Sequence, residues 1–249
     1  MEAARVEIDR LSIRTRPADR PVMHQVWDQL LFLHWAFPPE TIRPLVPAQL
    51  ELDTFDGRAY VGVAPFTMWG VRMHGLPPLP FISRTHELNV RTYVHHEGIP
   101  GVWFFSLDAA NPLVVAGARL AFGLPYFQAS MHLEDDGSVI SYESHRRHPG
   151  APDASFRARW RPGDPIGEAA PGTRDFFLVE RYCLYAMHFG KLMRTRIHHR
   201  PWPLRTATLE DLTSTMIQSH GLREPSDPPI LHKLDSPLDV DVFAPRTPR

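Results

Sequence analysis

The sequence predicts an α+β protein built mainly from antiparallel strands. Three observations carry that reading. The 26 prolines and 15 glycines of the 249-residue chain are scattered, cutting it into runs too short for long helices. Turn signals such as Asp56-Gly57 and Asp136-Gly137 stand between runs rich in Val, Tyr, Phe and Thr. Several of these runs alternate apolar and polar side chains with the period of two that a strand requires. No repeat or linker divides the chain, so the expected organisation is a flexible Arg-rich lead-in over 1–20, one domain over 21–240 and a frayed tail over 241–249.

The elements follow in order. Pro38 to Leu45, with proline near its start, reads as a short helix. Leu50 to Phe55 and Arg58 to Met68, joined by Asp56-Gly57, read as a hairpin. Ser83 to Val94 and the aromatic run Val102 to Leu107 read as a second. Leu113 to Phe122 is a helix, opened by Asn111-Pro112 as cap and first-turn residue and stopped by Gly123. Tyr126 to Leu133 and Val139 to Arg146 flank another turn. Pro149 to Pro171 reads as a loop holding a short strand, Ser155 to Trp160, placed to cover a pocket. Leu178 to His188 and Lys191 to Ile197 read as a strand pair, and Leu209 to His220 as a helix ending at Gly221.

Composition excludes several functions. The 27 basic and 28 acidic residues leave a net charge of −1, so no field is available to hold a nucleic acid. No apolar window is long enough to span a bilayer, and the N-terminus is charged where a secretory signal is apolar. The single cysteine, Cys183, allows no internal disulfide, and its apolar surroundings without an adjacent His suit a buried structural thiol. A cytoplasmic location is the expectation. Only Lys191 and Lys233 could supply an amine nucleophile, which leaves imine chemistry little room. Neither His95-His96 nor His198-His199 suits one ion, because adjacent strand residues point to opposite faces. No metal, Gly-rich phosphate loop or cofactor is expected.

Alternation marks two polar faces. From His86 to Val94, Leu88, Val90 and Val94 lie on one side; Glu87, Asn89, Arg91 and Tyr93 lie on the other. Successive residues on that face are about 7 Å apart, which puts Arg91 about 13 Å along the strand from Glu87. Tyr126, Gln128, Ser130 and His132 share one face of the next strand. Such faces meet either bulk water or the inside of a closed barrel, and alternation alone does not decide between them.

The runs Leu33-His34-Trp35, Pro47 to Phe66, ELNVRTYV (87–94), GVWFFSLDA (101–109), ARLAFGLPYFQA (118–129) and ERYCLY (180–185) resemble the uncharacterised bacterial YqjF-like family over roughly residues 22 to 235. That family is related to acetoacetate decarboxylase. The resemblance implies a closed or cone-shaped antiparallel barrel around a small-molecule cavity, with a few peripheral helices. It also implies an Arg at Arg119, a cavity glutamate at Glu87 and, in the decarboxylase, two adjacent lysines at the positions of Tyr126 and Phe127. Neither lysine is present, so the fold carries over without the imine mechanism. Tyr cannot form an imine, and its phenol serves as a hydrogen-bond donor or a tuned acid. The expected ligand site is Glu87, Arg91, Arg119, Tyr126 and His132, taking a small carboxylate or carbonyl compound in a binding protein that is compatible with homo-oligomers. The alternative is an imine-independent acid–base enzyme (enolisation, dehydration or hydrolysis) using Glu87 and Tyr126; a third reading moves the imine lysine to Lys191.

Overall fold

The computed structural model describes residues 7–78 and 83–248; the start of the lead-in, residues 1–6, and residue 249 of the tail lie outside them. β1 (Met23–Asp28) and β2 (Leu31–Phe37) precede one turn of helix, α1 (Pro39–Ile42), and the short β3 (Glu51–Leu52). Three long strands follow, β4 (Ala59–Met73), β5 (Arg84–His96) and β6 (Ile99–Ala109). α2 (Pro112–Phe122) leads into the meander β7 (Tyr126–Asp135), β8 (Ile140–Arg146) and β9 (Ser155–Gly167). After α3 (Arg174–Val179) come β10 (Cys183–His188), β11 (Lys191–His198), β12 (Leu204–Ser214), β13 (Ile230–Leu234) and β14 (Leu238–Val242).

All these strands join one sheet in the order β1-β14-β11-β10-β6-β7-β8-β9-β12-β13-β2-β4-β5-β3, and two further pairings, β1 with β4 and β5 with β6, close it. Two circuits result, one through β1, β14, β11 and β10, the other through β2, β13, β12, β9, β8 and β7. Both share the wall β4-β5-β6. The pairing is antiparallel except where β6 meets β10 at Val102–Trp103 and β7 at Leu107–Ala109. Closure satisfies strand edges that would otherwise be open.

The shared wall separates two apolar cores, so both faces of β5 are buried. Leu88, Val90 and Val94 pack with Leu31, Val63 and Tyr142 on one side. Tyr93, on the other face, packs with Phe32, Phe66, Tyr126, Phe177 and Trp202. The polar face of β5 therefore points into a core rather than into solvent. Glu87, Asn89 and Arg91 are all less than a tenth exposed.

Several expectations need correction. Asp56 and Gly57 do form a tight turn with φ of 50° and 71°, and Phe55 bridges Arg58, but β3 pairs with β5 rather than with β4. The segment read as a pocket-covering loop is largely β9, which runs to Gly167 and is paired on both sides by β8 and β12. Leu178 and Val179 end α3 rather than begin a strand, because Thr173 accepts a 3.2 Å bond from the Phe176 N–H and caps a helix there. Leu209 to His220 is not helical. Leu209, Leu212 and Met216 mimic a helical stripe, but Thr206, Thr208 and Thr213 are β-branched and the run pairs with β9; only Gln218–His220 turns before Gly221.

The ends are also built in. Arg10 binds buried Asp53 through both Nη atoms at 2.6 Å, Ile13 is buried, and Arg196 Nη2 donates to the Ile13 and Thr15 carbonyls at 2.7 Å. Arg10, within the lead-in expected to be flexible, is thus a structural ion-pair partner. Of the tail, Asp241 and Val242 lie in β14, Phe243 is buried, and Arg246 bridges Arg194.

Candidate functional site

α2 and the turn after it set the first site residue. Asn111 caps the helix by accepting the Leu113 N–H at 2.9 Å, with Pro112 in the first turn. Gly123 ends it at φ 65°, where a Cβ would also lie 2.8 Å from the Met187 carbonyl. Both conditions call for glycine. The chain then enters β7, with Tyr126 opposite Leu107 of β6.

Tyr126 O–H donates to Glu87 Oε2 at 2.6 Å, and both groups are buried. Asn89, next on the same face of β5, also hydrogen-bonds the Glu87 side chain. From the opposite side of the wall, Tyr142 O–H donates to the Glu87 backbone carbonyl at 2.9 Å and fixes the strand. Burial raises the Glu87 carboxyl to about 7, overcoming the opposing hydrogen bonds from Tyr126 and Asn89. Burial, then the Glu87 charge, pushes the Tyr126 phenol well above its ordinary value. Near neutral pH this pair holds or releases one proton at the carboxyl.

Arg91 lies further along the same face. Its guanidinium sits 5.0 Å from the Phe32 ring centre and 6.0 Å from that of Tyr93. Buried Nε and Nη2 have no hydrogen-bond partner among the described residues, and neither has Asn89 Oδ1. An arginine is always charged, and leaving its donors unsatisfied inside a core is costly.

The other expected site residues do not reach this cluster. Arg119 is exposed on α2 and donates from outside to the Tyr126 carbonyl at 2.7 Å, so it holds the backbone of Tyr126 and not the same space as its phenol. His132 is 64% exposed and pairs with Glu134 at 2.9 Å. β7 rests on β6 only from Tyr126 to Gln128, and beyond that the face carrying His132 turns out to solvent. Arg119 borders an open surface depression of about 490 Å³, and His132 another of about 350 Å³; neither includes Glu87 or Tyr126. Phe127, pointing to the other side of β7, stacks 4.3 Å from the Arg146 guanidinium, which is bound by Asp108 at 2.8 Å.

The lysines are elsewhere. Lys191 is exposed at a turn. Lys233 is buried, and burial lowers its amine to about 8. It pairs with Leu31, whose side chain belongs to the core across the wall from Tyr126, and donates to the Leu234 carbonyl at 2.8 Å. Among the described residues no group of three or more His, Cys, Asp and Glu is arranged to hold a metal ion, and no helix is long and apolar enough to cross a membrane.

The pattern of the uncharacterised conserved protein family DUF2071 matches residues 24–236. The chain belongs to this family. Another protein of matching sequence, uncharacterised protein YqjF of Bacillus subtilis (strain 168), is 42% identical over 211 residues, covering 85% of this chain and 86% of its own. Among solved structures, the enduracididine biosynthesis enzyme MppR complexed with pyruvate superposes with a TM-score of 0.61 at 12% identity, over 93% of this chain and 92% of that one. Acetoacetate decarboxylase from Legionella pneumophila gives a TM-score of 0.54 at 14% identity, over 100% and 98%. The DUF2071 chain thus has the acetoacetate decarboxylase-like fold, as the resemblance implied.

Around Arg91 this DUF2071 chain gathers two residues that sequence reasoning did not select. His34 and its neighbour His232 are fully or nearly fully buried there. A lone His within the apolar run LFLHWAF carries no local mark of a site. The grouping arises from pairing between β2 and β13, which places His232 opposite Phe32.

Proposed function

We propose that this chain binds a small carboxylate within the core beside β5, with Arg91 taking the carboxylate and the Tyr126–Glu87 pair taking an oxygen further along the ligand. The observation that carries this reading is the buried Arg91 guanidinium, with two donor nitrogens unpartnered among the described residues. A carboxylate satisfies both at once through paired charged hydrogen bonds. Tyr126 is a donor already oriented by Glu87, suited to a carbonyl or hydroxyl oxygen. A protein of the same fold is solved with pyruvate, which supports a ligand of this size and charge. Imine formation has no support, since Lys191 is exposed and Lys233 is across the wall.

Calorimetric titration with pyruvate, acetoacetate and short monocarboxylates tests the reading. Arg91→Met, which keeps the volume and removes the charge, should weaken every carboxylate by about a hundredfold or more, the equivalent of roughly 3 kcal/mol for a charged bidentate pair. Equal affinities for the two proteins would remove the proposal.

The proton held by Glu87 favours a second reading, an acid–base enzyme acting by enolisation, dehydration or hydrolysis. A carboxyl near 7, 2.6 Å from a phenol, is poised to exchange a proton at neutral pH. If turnover of a carbonyl substrate is found, Glu87→Gln and Tyr126→Phe should each reduce it. Turnover indifferent to both would sink that reading.

A further inference from the structure

The ring nitrogens around Arg91 specify what else the ligand must carry. Tyr93 O–H has one proton and two partners, the Leu178 carbonyl and His34 Nε2, both at 2.7 Å. A carbonyl only accepts, so the Tyr93 proton goes to Leu178 and His34 must donate through Nε2–H. His34 is fully buried, with its ring against Gly62, where a Cβ would lie 3.0 Å from its Cδ2. Burial, together with the charges of Arg91 and Arg181, keeps it neutral. Its Nδ1 is therefore a bare acceptor, with no partner among the described residues.

His232 is in the same state by an independent route. Its Nε2 faces Asp175 Oδ1 at 3.2 Å, and a carboxylate only accepts, so Nε2 carries the proton. Burial outweighs Asp175 and keeps the ring neutral. Its Nδ1 is also buried and unpartnered among the described residues. The two imidazoles are neighbours, with ring centres 6.2 Å apart at 61°. His34 stacks on Phe32, the ring that Arg91 covers. Two unpaired acceptors thus neighbour each other, and one of them, on His34, lies within the field of the unpaired Arg91 donor.

Resting on the carboxylate reading above, we propose that the ligand is a hydroxycarboxylate, its carboxylate on Arg91 and its hydroxyl donating its one proton to His232 Nδ1, beside His34. A keto oxygen only accepts and leaves both Nδ1 atoms unsatisfied. An ammonium could donate, but Arg91 and Arg181 both act on His34 as positive charges, and a third cation is repelled there. A neutral hydroxyl meets one of these acceptors without that opposition.

Matched acids separate this from the broader reading. Lactate, propionate and pyruvate, then 3-hydroxybutyrate, butyrate and acetoacetate, are titrated calorimetrically into the wild-type protein and His232→Phe. The hydroxy acid of at least one set should bind about tenfold or more tightly than its deoxy and keto counterparts, the value of one net hydrogen bond. In His232→Phe that preference should shrink or vanish. Carboxylates that bind through Arg91 with no preference for the hydroxyl, or with a preference for the keto acid, overturn this inference and leave the carboxylate reading standing. Binding by none of the six overturns both. Should His232→Phe fail to fold, imidazole ¹⁵N shifts of the wild type decide: the Nδ1 resonance of His232 should move with the hydroxy acid and stay in place with the deoxy acid. Movement with neither, despite binding, counts against the proposal.

Discussion

Replacing Glu87 with glutamine removes one titrating group from the core while keeping an oxygen to accept the Tyr126 hydroxyl, now at 2.6 Å. Burial raises this carboxyl from 4.5 to about 7. Below 4.5 the proton is bound in both folded and unfolded chains, and the stabilisation it gives the folded state is fully present. As pH rises, the unfolded chain releases its proton first, and the folded state retains it at growing cost until it too ionises near 7. Stability linked to Glu87 is therefore lost on raising the pH from about 4.5 to 7, by roughly 3 kcal/mol at about 1.4 kcal/mol per unit. Glutamine has no such dependence. Urea unfolding of both proteins from pH 4.5 to 8 measures the difference, in which all other titrating groups cancel. The variant should gain roughly 3 kcal/mol on the wild type across that interval, and the gain should level off above 7. Parallel curves would falsify the assignment of a protonated carboxyl. Tyr126→Phe supplies an internal check: its hydroxyl holds Glu87 down, so removing it should move the levelling-off to higher pH.

Three further outcomes are expected. Asp53→Asn should cost about 3–5 kcal/mol in urea unfolding at neutral pH, because Arg181, bound to Asp53 at 2.6 Å and almost fully buried, is left without its counter-charge. Cys183, buried and with its thiol pushed up to about 12 chiefly by burial, should resist thiol reagents in the folded protein and label only once denaturant opens the sheet. Gly101→Ala should lower the thermal midpoint, by an overpacking cost of about 1–3 kcal/mol. Its Cβ would fall 2.9 Å from the Cys183 carbonyl and 2.8 Å from the Tyr185 ring, where β6 meets β10.

What was legible in the chain was what neighbouring residues decide. Asn111-Pro112 and Gly123 bound α2 as expected, since a cap, a first-turn proline and a left-handed stop are all local. Period two placed Glu87, Asn89, Arg91 and Tyr93 on one face. Whether that face met water depended on the closure of the sheet through pairings of β1 with β4 and β5 with β6, far apart in sequence. The same parity misled at His132. Parity assigns a side of the strand, whereas burial of Tyr126 but not His132 depends on where β6 stops covering β7. Leu209 to His220 suggests a helix because a leucine stripe can be drawn at either period, and only pairing with β9 shows that its first half is a strand. His34 and His232 acquire their meaning from Tyr93 and Asp175, contacts that no window of sequence contains.

The residue at 126 and the state of Glu87 form one chemical fact. A lysine ammonium against this carboxylate would favour its ionised form, and the carboxylate would favour the ammonium. Tyrosine offers a neutral donor instead, and its hydrogen bond opposes burial without overcoming it. The nearby Arg146 guanidinium does not substitute for a lysine, because it is bound to Asp108 and stacked on Phe127, which points away from Tyr126. With tyrosine where the resemblance implies a lysine, this position offers no amine, and the glutamate stays protonated up to about 7. The carboxylate proposed for Arg91 would then meet a neutral acid rather than a second negative charge. In this DUF2071 chain, a tyrosine at 126 and the proposed carboxylate ligand are consistent with each other on electrostatic grounds.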